Sequence, residues 1–207
     1  RAACRALRHK LLKNNGYSTP KILSICLEPK PEVVAVIGTK PVYISGSVTP
    51  LAGIPGKTSS GEIDPGIVLN LAEKRGWGPE RINHILTQES GLKALADCSV
   101  SLDDVLKPHS DFPLVKKVIR YRFLLAAGKG IAAMGGITGI VFSGRNASIG
   151  KYLGPWLLEK IQTAFYNEST ADWTCFETCR DQIIAERVAA LYHSGRLEPE
   201  REETTPV

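Results

Sequence analysis

Residues 49–66 read TPLAGIPGKTSSGEIDPG, and the pattern within them changes from loop to helix. Its first part belongs to a segment, residues 46–63, that is rich in Gly, Pro, Ser and Thr and has no hydrophobic periodicity. A loop of that length inside a compact domain is usually functional or derived from something functional. Asp64 is a good helix N-cap, and Pro65 suits the first helical position. The stretch therefore predicts a long loop of functional origin that leads directly into a helix.

On the carboxy-terminal side of this loop, helices dominate. The helix after Asp64 is expected to begin its buried side with Ile67, Leu69 and Leu71 and to stop at Gly76. Further helices are predicted over residues 79–86, 113–135, 148–165 and 181–193, and a buried strand over residues 137–142. Residues 196–207 are polar and are expected to form a disordered tail.

On the amino-terminal side, β-rich runs dominate. They cover residues 21–27, 32–37 and 41–45, separated by Pro and Gly, which predicts a small antiparallel meander. A basic helix over residues 2–14 precedes them. Strands followed by helix, strand and helix predict an α/β domain, with a mixed sheet flanked by helices.

The composition is that of an ordinary globular protein, with 207 residues, 43% hydrophobic and 23% charged. No apolar run is long enough to cross a membrane, so no membrane contact is expected. Five scattered cysteines argue against a disulfide framework and favour an intracellular location, in the cytoplasm or an organelle matrix, without secretion. Cys175 and Cys179 have the spacing of one helical face, but no second ligand pair accompanies them, and no metal site is expected.

The net charge of +5 is modest, and part of it lies along residues 116–122. Such a run is usually a solvated face, and the alternative is a surface for nucleic acid or another anionic partner. No aromatic residues are interleaved in the manner of single-strand binding, so no motif supports a nucleic-acid partner.

Five fragments, in order and at matching spacing, resemble the acetokinase family of acetate, propionate and butyrate kinases. They are TPLAG (Thr49 to Gly53), SGEIDPG (Ser60 to Gly66), SGLKAL (Ser90 to Leu95), IVFSG (Ile140 to Gly144) and Thr178 with Ile184, Ala185 and Ala189. The resemblance implies a single actin-like, sugar-kinase (RNase H-like) lobe over residues 1–195, equivalent to the family's carboxy-terminal lobe. The preceding lobe is expected to be missing or to be a separate chain. In the family, this lobe also forms the dimer interface, which implies a homodimer or a larger protein complex.

The departures from the family fall at positions that the resemblance links to phosphate and nucleotide. Cys26, Leu27, Glu28, Pro29 and Lys30 stand where the family has HLGNG, so both glycines are replaced. Backbone N–H groups approach phosphate oxygens most easily where no side chain intervenes. Ser59 stands where the family has an arginine, with Lys57 as the adjacent basic residue.

Three further motifs are altered in the same way. Ser101, Leu102 and Asp103 replace SDMR, the residues Gly144 to Ile149 replace GGIGEN, and Arg180 beside Asp181 replaces a metal-linked glutamate. Losing a single arginine from a phosphoryl-transfer site can lower the rate by about a thousandfold or more. Gly144 is the residue left as a vestigial nucleotide-binding position, and no catalytic residue is assigned.

Three functions remain open from the sequence. The first is a non-catalytic scaffold or interaction subunit, for which no cofactor is expected. The second is one half of an acetate or short-chain carboxylate kinase that uses ATP and Mg²⁺ and is completed by a separate or missing amino-terminal lobe; Lys57, Arg145 and Asp181 would then replace the lost groups. The third is a nucleotide-sensing module supported by Gly144.

Overall fold

The structure is a computed structural model that describes residues 2–15, 19–28, 30–165 and 172–176. Its strands are β1 (Lys21–Cys26), β2 (Glu32–Ile37), β3 (Lys40–Ile44), β4 (Gly139–Ser143) and β5 (Asp172–Phe176). Within the described ranges they form a five-stranded mixed sheet in the order β3-β2-β1-β4-β5. The first three strands are an antiparallel meander, and β4 runs parallel to both β1 and β5. The predicted meander and mixed sheet are confirmed, and β5 is a strand that the sequence pattern did not indicate.

The helices lie before, between and after the strands. They are α1 (Ala2–Asn15), α2 (Pro65–Arg75), α3 (Pro79–Gln88), α4 (Gly91–Ala96), α5 (Leu102–Leu106), α6 (Pro113–Met134) and α7 (Gly150–Phe165). A 3-10 turn, Ala147–Ile149, leads into α7. The short helices α4 and α5 were not predicted, because a pattern of five or six residues is too short to show helical periodicity.

Both faces of the sheet are covered, which explains why β4 is an uninterrupted apolar run. Leu23, Ile25 and Phe142 face the main core, together with α6 and α7. Ile22 and Val141 point to the opposite face, where Leu7 and Leu11 of α1 cover them. The alternation of side chains along β1 and β4 therefore divides the apolar residues between two layers of helix.

Helix α2 contradicts one expectation of the sequence analysis. Its ends form as predicted: the Asp64 carboxylate accepts a hydrogen bond from the Gly66 N–H at 2.7 Å, and Gly76 ends the helix in the left-handed conformation. However, α2 has no buried residue, and Ile67 and Leu69 are 49% and 64% exposed. The predicted buried side was wrong because α2 packs mainly on α3 and stands away from the sheet.

The carboxy-terminal predictions are only partly testable. Cys175 lies in the strand β5, so its four-residue spacing to Cys179 does not reflect a shared helical face. Cys179, the predicted helix over residues 181–193 and the predicted tail over residues 196–207 lie outside the described residues. No helix among the described residues is long and apolar enough to cross a membrane.

Candidate functional site

The parallel strands β1 and β4 end side by side, and the candidate site lies where their chains turn. Cys26 pairs with Ser143 in the sheet, and the Leu27 N–H donates to the Ser143 carbonyl at 2.9 Å. Ligands of open α/β sheets commonly bind outside the carboxyl ends of the strands. We call residues 27–28 and 144–145, which follow the two strands, the strand-end site.

The strand-end site is held together by Glu28 and Arg145. The Arg145 backbone N–H donates to one Glu28 carboxylate oxygen at 2.8 Å, and the Arg145 guanidinium Nε donates to the other. The Glu28 side chain is only 9% exposed, so this charge-assisted pair is shielded from water on the glutamate side. A backbone N–H that could bind an anionic ligand oxygen thus already binds a carboxylate of the same chain.

Gly144 permits this arrangement. Its φ is +96°, and a Cβ at this position would lie 2.9 Å from the Glu28 Cβ. The residue is therefore required by the close approach of Glu28 and by its own backbone conformation. Its assignment as a vestigial nucleotide-binding position stays a prediction, and its location at the strand-end site is compatible with it.

Two weaker hydrogen bonds support the same turn. The Cys26 thiol donates to the Glu28 carbonyl at 3.2 Å, and the Asn146 side-chain amide donates to the Leu27 carbonyl at 3.4 Å. Both link the end of β1 to the chain around it, so the Glu28 backbone is fixed from two sides.

Lys30 is a residue that the sequence analysis did not place near Ser59. A Cβ built on Gly56 would lie 2.5 Å from the Ser59 Oγ and 3.4 Å from the Lys30 Cγ, so Ser59 and the lysine stem both lie against Gly56. The Lys30 ammonium donates to the Pro50 carbonyl at 2.6 Å and to the Ala52 carbonyl. Burial lowers the pKa of Lys30, and the charge of Glu32 opposes that shift.

The expectation that Lys57 is the adjacent basic group was therefore incomplete. The Lys57 side chain is exposed, whereas Lys30 reaches the loop from the turn between β1 and β2. The sequence feature that could have placed Lys30 near the loop is the β1–β2 hairpin. Antiparallel pairing of Cys26 with Glu32 keeps the residues between them at the edge of the sheet where β1 ends. That hairpin, together with the position of the long loop, could have predicted that Lys30 approaches the loop that contains Ser59.

Three of the glycine motifs meet in one place, which we call the loop cluster (residues 53–62 and 86–93). Backbone hydrogen bonds join its two segments, from the Ser90 N–H to the Thr58 carbonyl (2.9 Å) and from the Leu92 N–H to the Gly56 carbonyl (3.0 Å). A third bond, from the Glu62 N–H to the Gly53 carbonyl (2.8 Å), closes the first segment on itself. The motifs TPLAG, SGEIDPG and SGLKAL are therefore parts of a single packed unit.

The glycines of the loop cluster have no room for side chains. Gly53, Gly61 and Gly91 all have φ between +65° and +72°. A Cβ on Gly61 would lie 2.6 Å from the Gly53 carbonyl oxygen, and a Cβ on Gly91 would lie 2.7 Å from the Ser59 carbonyl oxygen. Ser59 itself is 7% exposed. Backbone packing alone accounts for these glycines, with no need for a ligand.

The segment Ser101 to Asp103 serves the helix that follows it. The Ser101 Oγ accepts a hydrogen bond from the Asp104 N–H at 3.1 Å, and the Asp104 carboxylate accepts from the Ser101 N–H at 3.1 Å. This reciprocal pair is a capping box at the start of α5. Arg180 and Asp181, the other two charged positions of interest, lie outside the described residues.

Comparison with known proteins fits this architecture. The acetokinase family model matches residues 9–152, which is more than half of the chain. The chain belongs to the acetokinase family. The acetate kinase of Thermoanaerobacter pseudethanolicus is 32% identical over 147 residues, or 69% of this chain, and that of Thermosipho africanus is 34% identical over 141 residues, or 64%. These alignments cover only 37% and 35% of the two relatives, so this acetokinase-family chain spans about a third of their length.

Solved structures show the same fold. The crystal structure of Porphyromonas gingivalis acetate kinase aligns with a TM-score of 0.71 at 20% identity, over 92% of this chain and 54% of that chain. The acetate kinase of Entamoeba histolytica aligns with a TM-score of 0.73 at 16% identity, over 92% and 57%. At these identities the likeness shows the fold, and the α/β assignment made from the sequence is confirmed.

Proposed function

We propose that this acetokinase-family lobe is one half of an acetate-kinase-type phosphotransferase and that a second lobe completes its active site. The observation that carries the proposal is the family match over residues 9–152, in which the similar curated proteins are acetate and propionate kinases. The short share of each relative that the chain covers is compatible with a separate or additional lobe. When bound, ATP with Mg²⁺ would supply the phosphoryl group, and the substrate would be acetate or another short carboxylate.

The strand-end site, together with Ser59 and Lys30 outside it, fits a phosphate group poorly. The Glu28 carboxylate lies on the Arg145 N–H, and its negative charge would repel a phosphate placed there. Ser59 supplies no positive charge, and the Lys30 ammonium is bound to the carbonyls of Pro50 and Ala52. We therefore derive no catalytic step through the nucleotide.

This poor fit favours a second candidate, a non-catalytic lobe retained for its surfaces. Phosphoryl transfer depends on positioning and on charge stabilisation of the transferring group. A site that places a carboxylate on its own anion-binding N–H provides neither. Under this proposal, the chain acts as a scaffold in a homodimer or a larger complex and requires no cofactor.

One experiment separates the two candidates. The protein that carries this chain, purified from its source with whatever lobe accompanies it, is incubated with acetate, ATP and Mg²⁺, and acyl phosphate is trapped as the hydroxamate. Product that disappears in a recombinant complex carrying Lys30→Met or Lys57→Ala, but persists with the exposed change Leu69→Asp, would establish the kinase half.

Absence of product with both lobes present would leave the non-catalytic role. In that case, a rise in melting temperature with saturating ATP would indicate a nucleotide-sensing module, because a ligand specific for the native state stabilises it by mass action. No shift with ATP would leave the scaffold.

A further inference from the structure

Helix α6 has two apolar faces, and only one of them is covered by the sheet. The sheet-facing side consists of buried residues, including Ile119, Phe123 and Ala127. The opposite side carries Leu114, Val118, Tyr121, Leu125, Gly128 and Ala132, which we call the outer stripe. Leu114, Tyr121 and Leu125 are 71%, 58% and 40% exposed. A helix that is apolar on both faces normally has a neighbour on both.

The spacing of the outer stripe suits a second helix. Successive members are four, three, four, three and four residues apart, which is the alternation of a coiled-coil seam. The stripe ends in Gly128 and Ala132, and small residues allow a neighbouring backbone to come close. A flat or extended partner would gain nothing from this periodicity.

A groove with both apolar and polar walls lies beside the outer stripe, and Glu62, Arg122 and Lys129 contribute its charged side. It has a volume of about 370 Å³, and Leu125 and Ala126 of α6, Ile44 of the edge strand β3, and Ile54 and Ile63 contribute apolar walls. Ile44 is 55% exposed, so the apolar surface continues from α6 onto the edge of the sheet. The groove offers a place for one large apolar side chain from a helix lying on the stripe.

The charges that flank the outer stripe determine which helix fits. Lys117 lies on one side, and Arg122 and Lys129 lie on the other, at the positions next to the seam. Glu62 is the carboxylate that faces this edge: its carboxylate lies 3.6 Å from the Lys129 ammonium, and its backbone carbonyl accepts from the Arg122 guanidinium at 3.3 Å. Among the described residues, Glu62 is therefore the acidic residue in contact with Arg122 and Lys129, and Lys117 has no ion pair.

The other cations of α6 are directed elsewhere. The Lys116 ammonium donates to the Lys107 and Pro108 carbonyls, at 2.5 and 3.0 Å. The Arg120 guanidinium stacks on the Trp156 ring at 5.0 Å. The positive rim of the outer stripe thus consists of Lys117, Arg122 and Lys129.

A second copy of α6 is a poor partner for this surface. In a parallel pair, Lys117 would face Arg122 of the other copy, and in an antiparallel pair Arg122 would face Lys129. Like charges at these flanking positions oppose association. A helix with carboxylates at the corresponding positions would instead pair with all three cations.

We propose that the outer stripe and the adjoining groove form a docking site for an acidic amphipathic helix of a partner protein. Apolar residues of that helix, spaced by three and four, pack on Tyr121 and Leu125, and its flanking Glu or Asp residues pair with Lys117, Arg122 and Lys129. The site is independent of the strand-end site and stands whether or not the chain takes part in catalysis.

Two synthetic peptides of three heptads test this proposal. Both carry Leu at the seam positions; one carries Glu and the other Lys at the flanking positions. With the full chain at neutral pH, we expect the Glu peptide to bind and to lose about tenfold in affinity between low and high salt, measured by fluorescence anisotropy. We expect the Lys peptide to bind at least about tenfold more weakly. Equal binding of the two peptides would overturn the proposal.

Variants of the chain locate the binding. Leu125→Asp should weaken the Glu peptide at least about tenfold, because it places a carboxylate in the apolar seam. Lys117→Glu should weaken the Glu peptide and strengthen the Lys peptide, whereas Lys160→Glu, the same charge change on α7, should alter neither. A reversal of preference cannot come from partial unfolding, and equal effects of Lys117→Glu and Lys160→Glu would contradict the proposal.

The oligomeric state of the chain is the last measurement that tests the proposal. Light scattering should find no self-association that depends on the outer stripe. A dimer that dissociates on Leu125→Asp would assign the stripe to a second copy of the chain and would overturn the proposal of an acidic partner helix.

Discussion

The loop cluster and the strand-end site both carry sequence that resembles the acetokinases, yet they have diverged differently. In the loop cluster, Gly53, Gly61 and Gly91 are all present, and each is closely surrounded by backbone atoms. At the end of β1, Glu28 and Lys30 stand where the resemblance leads us to expect glycines. Glu28 lies in the strand-end site and binds Arg145, and Lys30 lies in the turn that follows and binds loop carbonyls. The difference is one of packing: the loop-cluster glycines have no room for a side chain, whereas the chain at the end of β1 accommodates the Glu28 and Lys30 side chains.

The largest effect should come from the loop cluster. Gly91→Ala is expected to lower the free energy of unfolding by about 3 kcal/mol or more, because it combines a left-handed φ with overlap on the Gly56 and Ser59 carbonyls. Gly76→Ala is the matched control, since Gly76 has φ +63° and no atom within 4 Å of an added Cβ. It should cost only about 1 kcal/mol. Denaturant unfolding measures both, and equal costs would show that packing does not explain the loop glycines.

The strand-end site should give an intermediate effect. Glu28→Gly removes a shielded carboxylate from Arg145 and is expected to cost about 2 kcal/mol in the free energy of unfolding. Glu62→Gln, which removes an exposed carboxylate that faces Lys129, should cost less than about 0.5 kcal/mol.

The same Glu28→Gly variant tests the anion-binding capacity of the turn. Because the variant lacks the hydrogen bond from the Arg145 N–H to the Glu28 carboxylate, saturating ATP should raise its melting temperature more than that of the parent chain. An equal rise in melting temperature in both proteins would show that the Glu28 carboxylate does not prevent anion binding at this turn.

A smaller effect is expected at the start of α5. Ser101→Ala should cost about 1 kcal/mol, because it removes a helix cap. Hydrogen bonds from the Ser101 hydroxyl and backbone lower the pKa of Asp104. The stabilisation that comes from the ionised Asp104 carboxylate is therefore present above the ordinary carboxyl pKa of about 3.9. It is lost as the pH falls through the lowered value in the folded state. Melting curves against pH for the parent chain and Asp104→Asn should therefore converge in acid, and a constant gap would exclude this linkage.

The smallest effect belongs to α2, which directly follows the loop cluster. Leu69→Asp should change the free energy of unfolding by less than about 0.5 kcal/mol, since the side chain is 64% exposed. A loss of several kcal/mol in the isolated chain would show that α2 packs more tightly than the structure describes.

Much of the fold could be predicted from the sequence, because local chemistry marks its boundaries. Asp64, Pro65 and Gly76 set the ends of α2, and the alternation of β-rich runs with Pro and Gly gave the meander. The short helices α4 and α5 and the strand β5 were missed, because their patterns are too brief to carry a period. No local pattern predicts that residues 28 and 145 meet, because they lie 117 positions apart. Only the resemblance drew attention to both segments, and their role in binding stays a prediction.

The class of fold, the ends of the main helices and the membership of the acetokinase family follow from the amino-acid sequence. These properties depend on capping residues, hydrophobic period and motif order, which can be read from residues close together in the sequence. Other facts are visible only in the folded chain: Glu28 binds Arg145, Lys30 and Ser59 both lie against Gly56, and α2 has no buried residue. Those facts depend on which distant segments meet, and side-chain partners across a sheet or a loop are fixed by packing geometry and not by neighbouring residues.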